Sequence, residues 1–124
     1  MGQLSRDVLV VEDEFLIADT LTQMLTELGL TVCGVADTAE EAISLARQHL
    51  PGLVLMDVRL KGTTDGIEAA LAIRASVGSA IIFVTGSQEP ETIHRMVQDP
   101  SFSVLFKPFR FHQLRDAVHR ILPP

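Results

Sequence analysis

A doubly wound α/β domain, with five parallel strands each followed by a helix, is the fold class this sequence predicts. Three observations carry that expectation. Short apolar runs, mostly β-branched, recur along the chain. Between them lie stretches with apolar residues at helical spacing, and Gly, Pro or small polar residues punctuate the joins. The apolar runs are nearly continuous rather than alternating, as in strands covered on both faces by helices.

The elements follow in order. Val8–Val11 is a buried strand. Phe15–Leu28 carries Ile17, Leu21, Met24, Leu25 and Leu28 at helical spacing, with Gly29 as its stop. Thr31–Val35 is a second strand. Asp37 or Thr38 caps a helix over Ala39–His49, where Glu40 and Glu41 favour the positive end of the helix dipole. Pro51-Gly52 breaks the chain before a third strand, Leu53–Met56. Ile67–Val77 reads as helix, Ala80–Val84 as strand, Pro90–Gln98 as a shorter helix, Val104–Phe106 as the last strand and Phe111–Leu122 as the last helix. Crossovers in such sheets are right-handed, and ligands bind beyond the carboxyl ends of the strands.

At 124 residues the chain suits one domain, taken here as 1–124 with a core over about 7–122. Hydrophobic residues are 47% and charged residues 21%, a globular balance rather than a disordered one. The net charge of −6, with no run of Lys or Arg, argues against nucleic acid or a membrane surface as partner. No leader-like start and no span of about 20 apolar residues is present, so a cytoplasmic location is expected. The single Cys33 fits a reducing compartment. Met1 to Arg6 is a polar lead-in, Pro123-Pro124 is expected to close the last helix, and no output domain is expected after it.

The carboxyl ends of the strands turn sequence positions into a site. The first strand ends in Glu12-Asp13, the third in Asp57, the fourth in Thr85 and the fifth in Lys107-Pro108. Neighbouring carboxylates raise one another's pKa unless a cation compensates them. A hard divalent ion such as Mg²⁺ suits that all-oxygen set, and no His or Cys stands beside it to favour zinc or copper. A nucleophilic Asp, a hydroxyl and a Lys are the parts for moving a phosphoryl group onto a carboxylate.

These residues resemble the receiver domains of two-component response regulators, over about Val8 to Leu122. The matching motifs are the acids of "LVVEDE", the Asp of "LVLMDVRL", "DGIEA" at the third helix, the Thr of "IIFVTG", and "LFKPF". The resemblance implies a flavodoxin-like (CheY-like) fold with strand order 2-1-3-4-5. It implies Asp57 as phosphoacceptor, with a histidine kinase or histidine phosphotransfer protein as donor. Mg²⁺, with Mn²⁺ as a substitute, would be held by Glu12, Asp13, Asp57 and the backbone carbonyl of Arg59. Lys107 would pair with phosphoryl oxygens, Thr85 would turn its hydroxyl toward them, and the Lys107-Pro108 bond would be cis. The family signals mostly through the face of helix four, strand five and helix five, where a downstream protein docks, and dimerisation is compatible with that role. Such a domain is a switch that assists its own phosphorylation and dephosphorylation, not a turnover enzyme.

The chain also departs from the family pattern. Val104 stands where an aromatic residue often couples to the Thr. The loop "VRLKGTTDG" lacks a mid-loop Pro and is one residue longer, and Arg59 within it is a candidate for controlling water access. Ser87 is a further group near the phosphoryl position. Three alternatives stand beside a stand-alone regulator: a receiver excised from a hybrid kinase or DNA-binding regulator, a Mg²⁺-dependent aspartyl-phosphate phosphohydrolase, and a receiver that binds partners without phosphorylation. Phosphohydrolases of that kind place an acid two residues after the nucleophile, where this chain has Arg59. His49, His94, His112 and His119 show no ligand spacing, and the Arg110, Arg115 and Arg120 region reads as solvated charge.

Overall fold

The computed structural model describes residues 4–124; Met1–Gln3, the start of the polar lead-in, lie outside the described residues. Ten elements alternate: β1 (Asp7–Val11), α1 (Phe15–Glu27), β2 (Thr31–Ala36), α2 (Ala39–His49), β3 (Leu53–Met56), α3 (Gly66–Ser76), β4 (Ala80–Thr85), α4 (Pro90–Met96), β5 (Phe102–Phe106) and α5 (Phe111–His119). All strand pairings are parallel, and the sheet order is β2-β1-β3-β4-β5. This is the doubly wound arrangement expected from the alternation of strand and helix patterns.

Strand alternation explains why the apolar runs are continuous. In β1, Val8 and Val10 face α1 and α5, among Ala18, Leu21, Leu25, Leu114 and Val118. Leu9 and Val11 face the opposite side, among Ala39, Ala42 and Ala46 of α2 and Ile67, Ala70 and Ile73 of α3. Each strand residue therefore meets a helix layer whichever way it points. The three alanines of α2 keep that helix close to the sheet.

Local chemistry sets the helix ends. Gly29 adopts φ 80 after α1, with its own N–H on the Thr26 carbonyl and the Leu30 N–H on the Leu25 carbonyl. That pattern terminates a helix and suits a residue without a side chain. Thr38 rather than Asp37 caps α2, accepting the Glu41 N–H at 3.1 Å, while Glu41 turns back onto the Asp37 N–H. Leu50 ends α2 in the left-handed region at φ 52, with its N–H on the Ala46 carbonyl at 2.8 Å, and Pro51 follows where the helix cannot continue.

Boundaries differ where tertiary pairing overrides local pattern. β5 begins at Phe102, two residues earlier than its apolar run, because Phe102 pairs with Ile81 and meets Phe83 edge-on at 5.3 Å. α5 ends at His119 rather than Leu122, where the Ile121 and Leu122 amides both bond the Val118 carbonyl in a closing turn. α4 ends at Met96 rather than Gln98, the Val97 and Gln98 amides folding back on Ile93 and Arg95.

Gly66 opens α3 pressed against the backbone of Asp57 and Val58, with its N–H on the Val58 carbonyl at 2.8 Å. A β-carbon there would collide with the Asp57 carbonyl. Gly66→Ala is expected to cost roughly 1–3 kcal/mol through overpacking, read as a lowered urea midpoint. Ala at Gly78, where nothing lies within 4 Å and only its φ of 84 resists a side chain, is expected to cost less. Equal midpoints for the two variants would contradict this packing.

Candidate functional site

Register brings the site together. Val11 pairs with Ala36 and with Met56, and Thr85 with Phe106, so the strands end almost level. Hydrogen bonds continue the ladder one step further: Glu12 N–H to Ala36 O at 2.9 Å, Asp57 N–H to Val11 O at 2.9 Å, and Lys107 N–H to Thr85 O at 2.8 Å. Glu12, Asp57, Thr85 and Lys107 are therefore held by sheet bonds. Glu12, Asp57 and Thr85 are buried, and Asp13 and Lys107 are half-buried.

A cleft of about 340 Å³ opens over this rim, lined by Asp13, Asp57, Arg59, Thr85, Ser87 and Lys107 among others. Lys107 Nζ donates to Glu12 Oε1 at 2.8 Å and to Asp57 Oδ2 at 3.4 Å. The other Glu12 oxygen accepts the Glu14 N–H at 3.2 Å, and the Arg59 N–H approaches Asp57 Oδ1 at 3.3 Å. Lys107 is thus anchored by Glu12, while the bonds to Asp57 are long ones that leave its carboxylate loosely held. Thr85 Oγ1 accepts the Ser87 N–H at 3.1 Å.

Burial drives the electrostatics. Desolvation lifts the Glu12 carboxyl from an ordinary 4.5 to about 7; the Lys107 hydrogen bond opposes this and the neighbouring Asp57 charge adds to it. For Lys107, burial works against the ammonium, but Glu12 and Asp57 outweigh it and the pKa rises. One ammonium serves two buried carboxylates, so the cluster retains an excess of negative charge. Carboxylate oxygens of Glu12, Asp13 and Asp57 lie within 4.8 Å of one another, the one such cluster among the described residues. That all-oxygen set, short of positive charge, fits a hard divalent cation.

The remaining residues fall as follows. The Arg59 side chain lies mostly in solvent and meets Glu89 at 3.1 Å across the mouth of the cleft. Val104 lies opposite Phe83 in the sheet and packs, half-buried, against the α2–α3–α4 side of the core. The Lys107-Pro108 peptide is cis. Cys33 is half-buried in β2, its Sγ 3.5 Å from the Val8 carbonyl, and burial pushes its thiol pKa up. Two ion pairs had no signal in the sequence: Arg59–Glu89, and Arg95–Asp65 at 2.9 Å. The second ties α4 to the residue whose side chain caps α3 through the Glu68 N–H. In each pair the partners are 30 residues apart, and only the folded sheet makes them neighbours.

A five-stranded parallel sheet in the order β2-β1-β3-β4-β5, with acids, a threonine and a lysine at its strand ends, defines a receiver domain. The family model described as "Response regulator receiver domain" matches residues 8–119, and the chain belongs to that family. It is 36% identical over 113 residues to the transcriptional regulatory protein PdtaR of Mycobacterium tuberculosis, covering 91% of this chain and 55% of that protein. It is 38% identical over 116 residues to the response regulator GacA of Pseudomonas viridiflava, covering 92% and 54% respectively. The chain thus spans about half the length of the curated relatives it matches. Among solved structures, the signal receiver domain of a modulated diguanylate cyclase from Desulfovibrio desulfuricans G20 superposes with a TM-score of 0.87. Identity there is 38%, covering 94% of this chain and 92% of the other. The anti-anti-sigma factor PhyR of Bartonella quintana gives 0.79 at 32% identity, over 98% of this chain and 49% of that one. Receiver domains are signalling switches of two-component systems that bind Mg²⁺ at an acidic pocket and interact with histidine kinases and downstream partners. No helix among the described residues is long and apolar enough to cross a membrane.

Glu12 binds its proton more tightly folded, at about 7, than at the ordinary 4.5 of an unfolded chain. Its ionisation therefore contributes nothing adverse below about 4.5 and becomes steadily more destabilising up to about 7. In metal-free protein, the stability difference between Glu12→Gln and wild type is expected to shift toward the glutamine variant across that window. Denaturant melts at stepped pH test this, and a difference that stays flat with pH would show that Glu12 titrates normally.

Proposed function

We propose that Asp57 accepts a phosphoryl group from a phosphohistidine on a histidine kinase or histidine phosphotransfer protein, and that its phosphorylation switches a protein-binding surface. The supporting observation is the setting of Asp57: a carboxylate only 7% exposed, facing the cleft, with Lys107 at one oxygen and two further acids within metal-bridging reach. Residues 1–124 act in this reading as a single receiver domain with a core over about 7–122, working in the cytoplasm.

The chemistry follows from the side chains. An Asp57 oxygen attacks phosphorus in line, the P–N bond to the donor imidazole breaks, and its electron pair remains on the imidazole nitrogen. Lys107, tethered by Glu12, turns its free N–H bonds toward the phosphoryl oxygens and offsets charge there. The Thr85 hydroxyl, whose oxygen already accepts the Ser87 N–H, keeps its hydrogen to donate outward. Glu12, Asp13, Asp57 and the Arg59 carbonyl would hold Mg²⁺, or Mn²⁺ in its place, which supplies charge neutralisation at the phosphoryl oxygens. The same groups assist hydrolysis of the acyl phosphate, so the domain modifies itself without being a turnover enzyme.

The output surface in this reading is the face of α4, β5 and α5, open to a downstream protein or to a second copy; neither nucleic acid nor membrane is invoked. The length of the curated relatives favours a second reading of context, in which this receiver is one segment of a longer regulator. Activities beyond phosphoacceptance would then belong to the rest of that chain, and the length of the natural gene distinguishes the two.

Labelled acetyl phosphate tests the acceptor directly. Acid-stable, base-labile label is expected on wild type with Mg²⁺, is expected to be strongly reduced by chelator, and is expected to vanish in Asp57→Asn. Lys107→Ala is expected to slow labelling by about 100-fold, the usual scale for losing one preorganised charge-stabilising group. Undiminished label in Asp57→Asn would sink the assignment.

A further inference from the structure

Ser87 lies two residues past Thr85, in the loop that leads to α4. Its backbone N–H donates to Thr85 Oγ1 at 3.1 Å, and the residue lines the same cleft as Asp57, Thr85 and Lys107. Its hydroxyl oxygen is buried and has no hydrogen-bond partner, the one side-chain polar atom among the described residues of which that is true. Buried polar atoms are nearly always paired, because leaving one unpaired forfeits its hydration for nothing. An orphan hydroxyl at the edge of a charged cleft therefore points to something the cleft receives.

We propose that Ser87 is a phosphoryl-binding residue: its hydroxyl donates to an oxygen of the group carried by Asp57, alongside the Thr85 hydroxyl. The inference rests on Asp57 being the phosphoacceptor. A carboxylate offers two oxygens, and in this cleft each already faces an N–H donor, from Arg59 and Lys107. A phosphoryl group brings three more oxygens, and a hydroxyl is a neutral donor that serves one of them without competing with Lys107 for Glu12. The Ser87 amide ties the Thr85 hydroxyl to the Ser87 backbone, so one short turn carries both hydroxyls. Thr85 sits at the end of β4 and Ser87 at the approach to α4, so binding at both would draw this turn toward the sheet rim.

Fluoroberyllate, an unreactive mimic of the phosphoryl group on aspartate, is the probe. Its affinity would be measured by calorimetry in saturating Mg²⁺ on the full chain, for wild type, Ser87→Ala and Ser87→Thr, with Mg²⁺ affinity and melting temperature as controls. Ser87→Ala is expected to weaken fluoroberyllate binding roughly three- to tenfold, the worth of one neutral hydrogen bond. Ser87→Thr is expected to restore it, and both controls are expected to hold. Unchanged affinity in Ser87→Ala overturns the proposal. So does a parallel fall in Mg²⁺ affinity or melting temperature, which would make Ser87 a structural residue. Failure of the wild type itself to bind the probe would strike the phosphoacceptor reading first, so the two failures are distinguishable.

Discussion

Lys107 reaches from the end of β5 toward the first strand and lies between Glu12 and Asp57, two carboxylates that the sheet forces into proximity and out of water. Two buried acids this close repel one another and lose hydration, and a single ammonium offsets only part of that. The imbalance shows as a Glu12 carboxyl pushed to about 7, with burial as the largest cause. An arrangement chosen for stability alone would have placed apolar side chains here. The surplus of carboxylate favours positive charge at this rim, and the long bonds to Asp57 leave its carboxylate loosely held.

The strand ladder makes this geometry stiff. Glu12, Asp57, Thr85 and Lys107 are each the last member of a strand or the one just after, and each of Glu12, Asp57 and Lys107 donates its amide to a neighbouring strand. The side chains thus inherit positions from backbone pairing that involves all five strands. Gly66 adds a second constraint from below, since only a residue without a β-carbon lets α3 begin against the Asp57 carbonyl. The "DG" at the start of α3 therefore combines two demands. Asp65 caps the helix through the Glu68 amide, and Gly66 clears space for the backbone beneath Asp57.

Much of this was legible because it is local in the chain. The β-branched runs, the Gly29 stop, the Thr38 cap and the Pro51 break each leave a signature within a few residues. The rule that ligands lie at carboxyl ends of strands then gathered Glu12, Asp13, Asp57, Thr85 and Lys107 into one candidate group. Other features have no local signature. The early start of β5 depends on where Ile81 and Phe83 sit in the neighbouring strand. The pairing of Arg59 with Glu89, and of Arg95 with Asp65, depends on how the β3–α3 loop and the start of α3 lie against α4 and its cap. The lost partner of Ser87 is a property of burial, which a serine in a turn does not advertise.

Those non-local contacts gather on one element. α4 is seven residues long and buries a single side chain, Met96, whereas α3 buries five residues. Much of its remaining attachment is polar: Glu89 at its cap meets Arg59, and Arg95 meets Asp65, in pairs that are partly or largely exposed. Exposed pairs of this kind contribute only about 0–1 kcal/mol each, so α4 is tied to the rim by bonds that exchange at little cost. Elements with few buried contacts are the ones that move when a local charge changes. A phosphoryl group on Asp57 would bring about two negative charges beside Arg59, while the Thr85–Ser87 turn feeds directly into the α4 cap. Both routes from Asp57 therefore arrive at the helix that buries the fewest residues. In a fold whose other helices are locked to the sheet by aliphatic packing, that leaves α4 as the helix most able to respond to a change of charge at the rim.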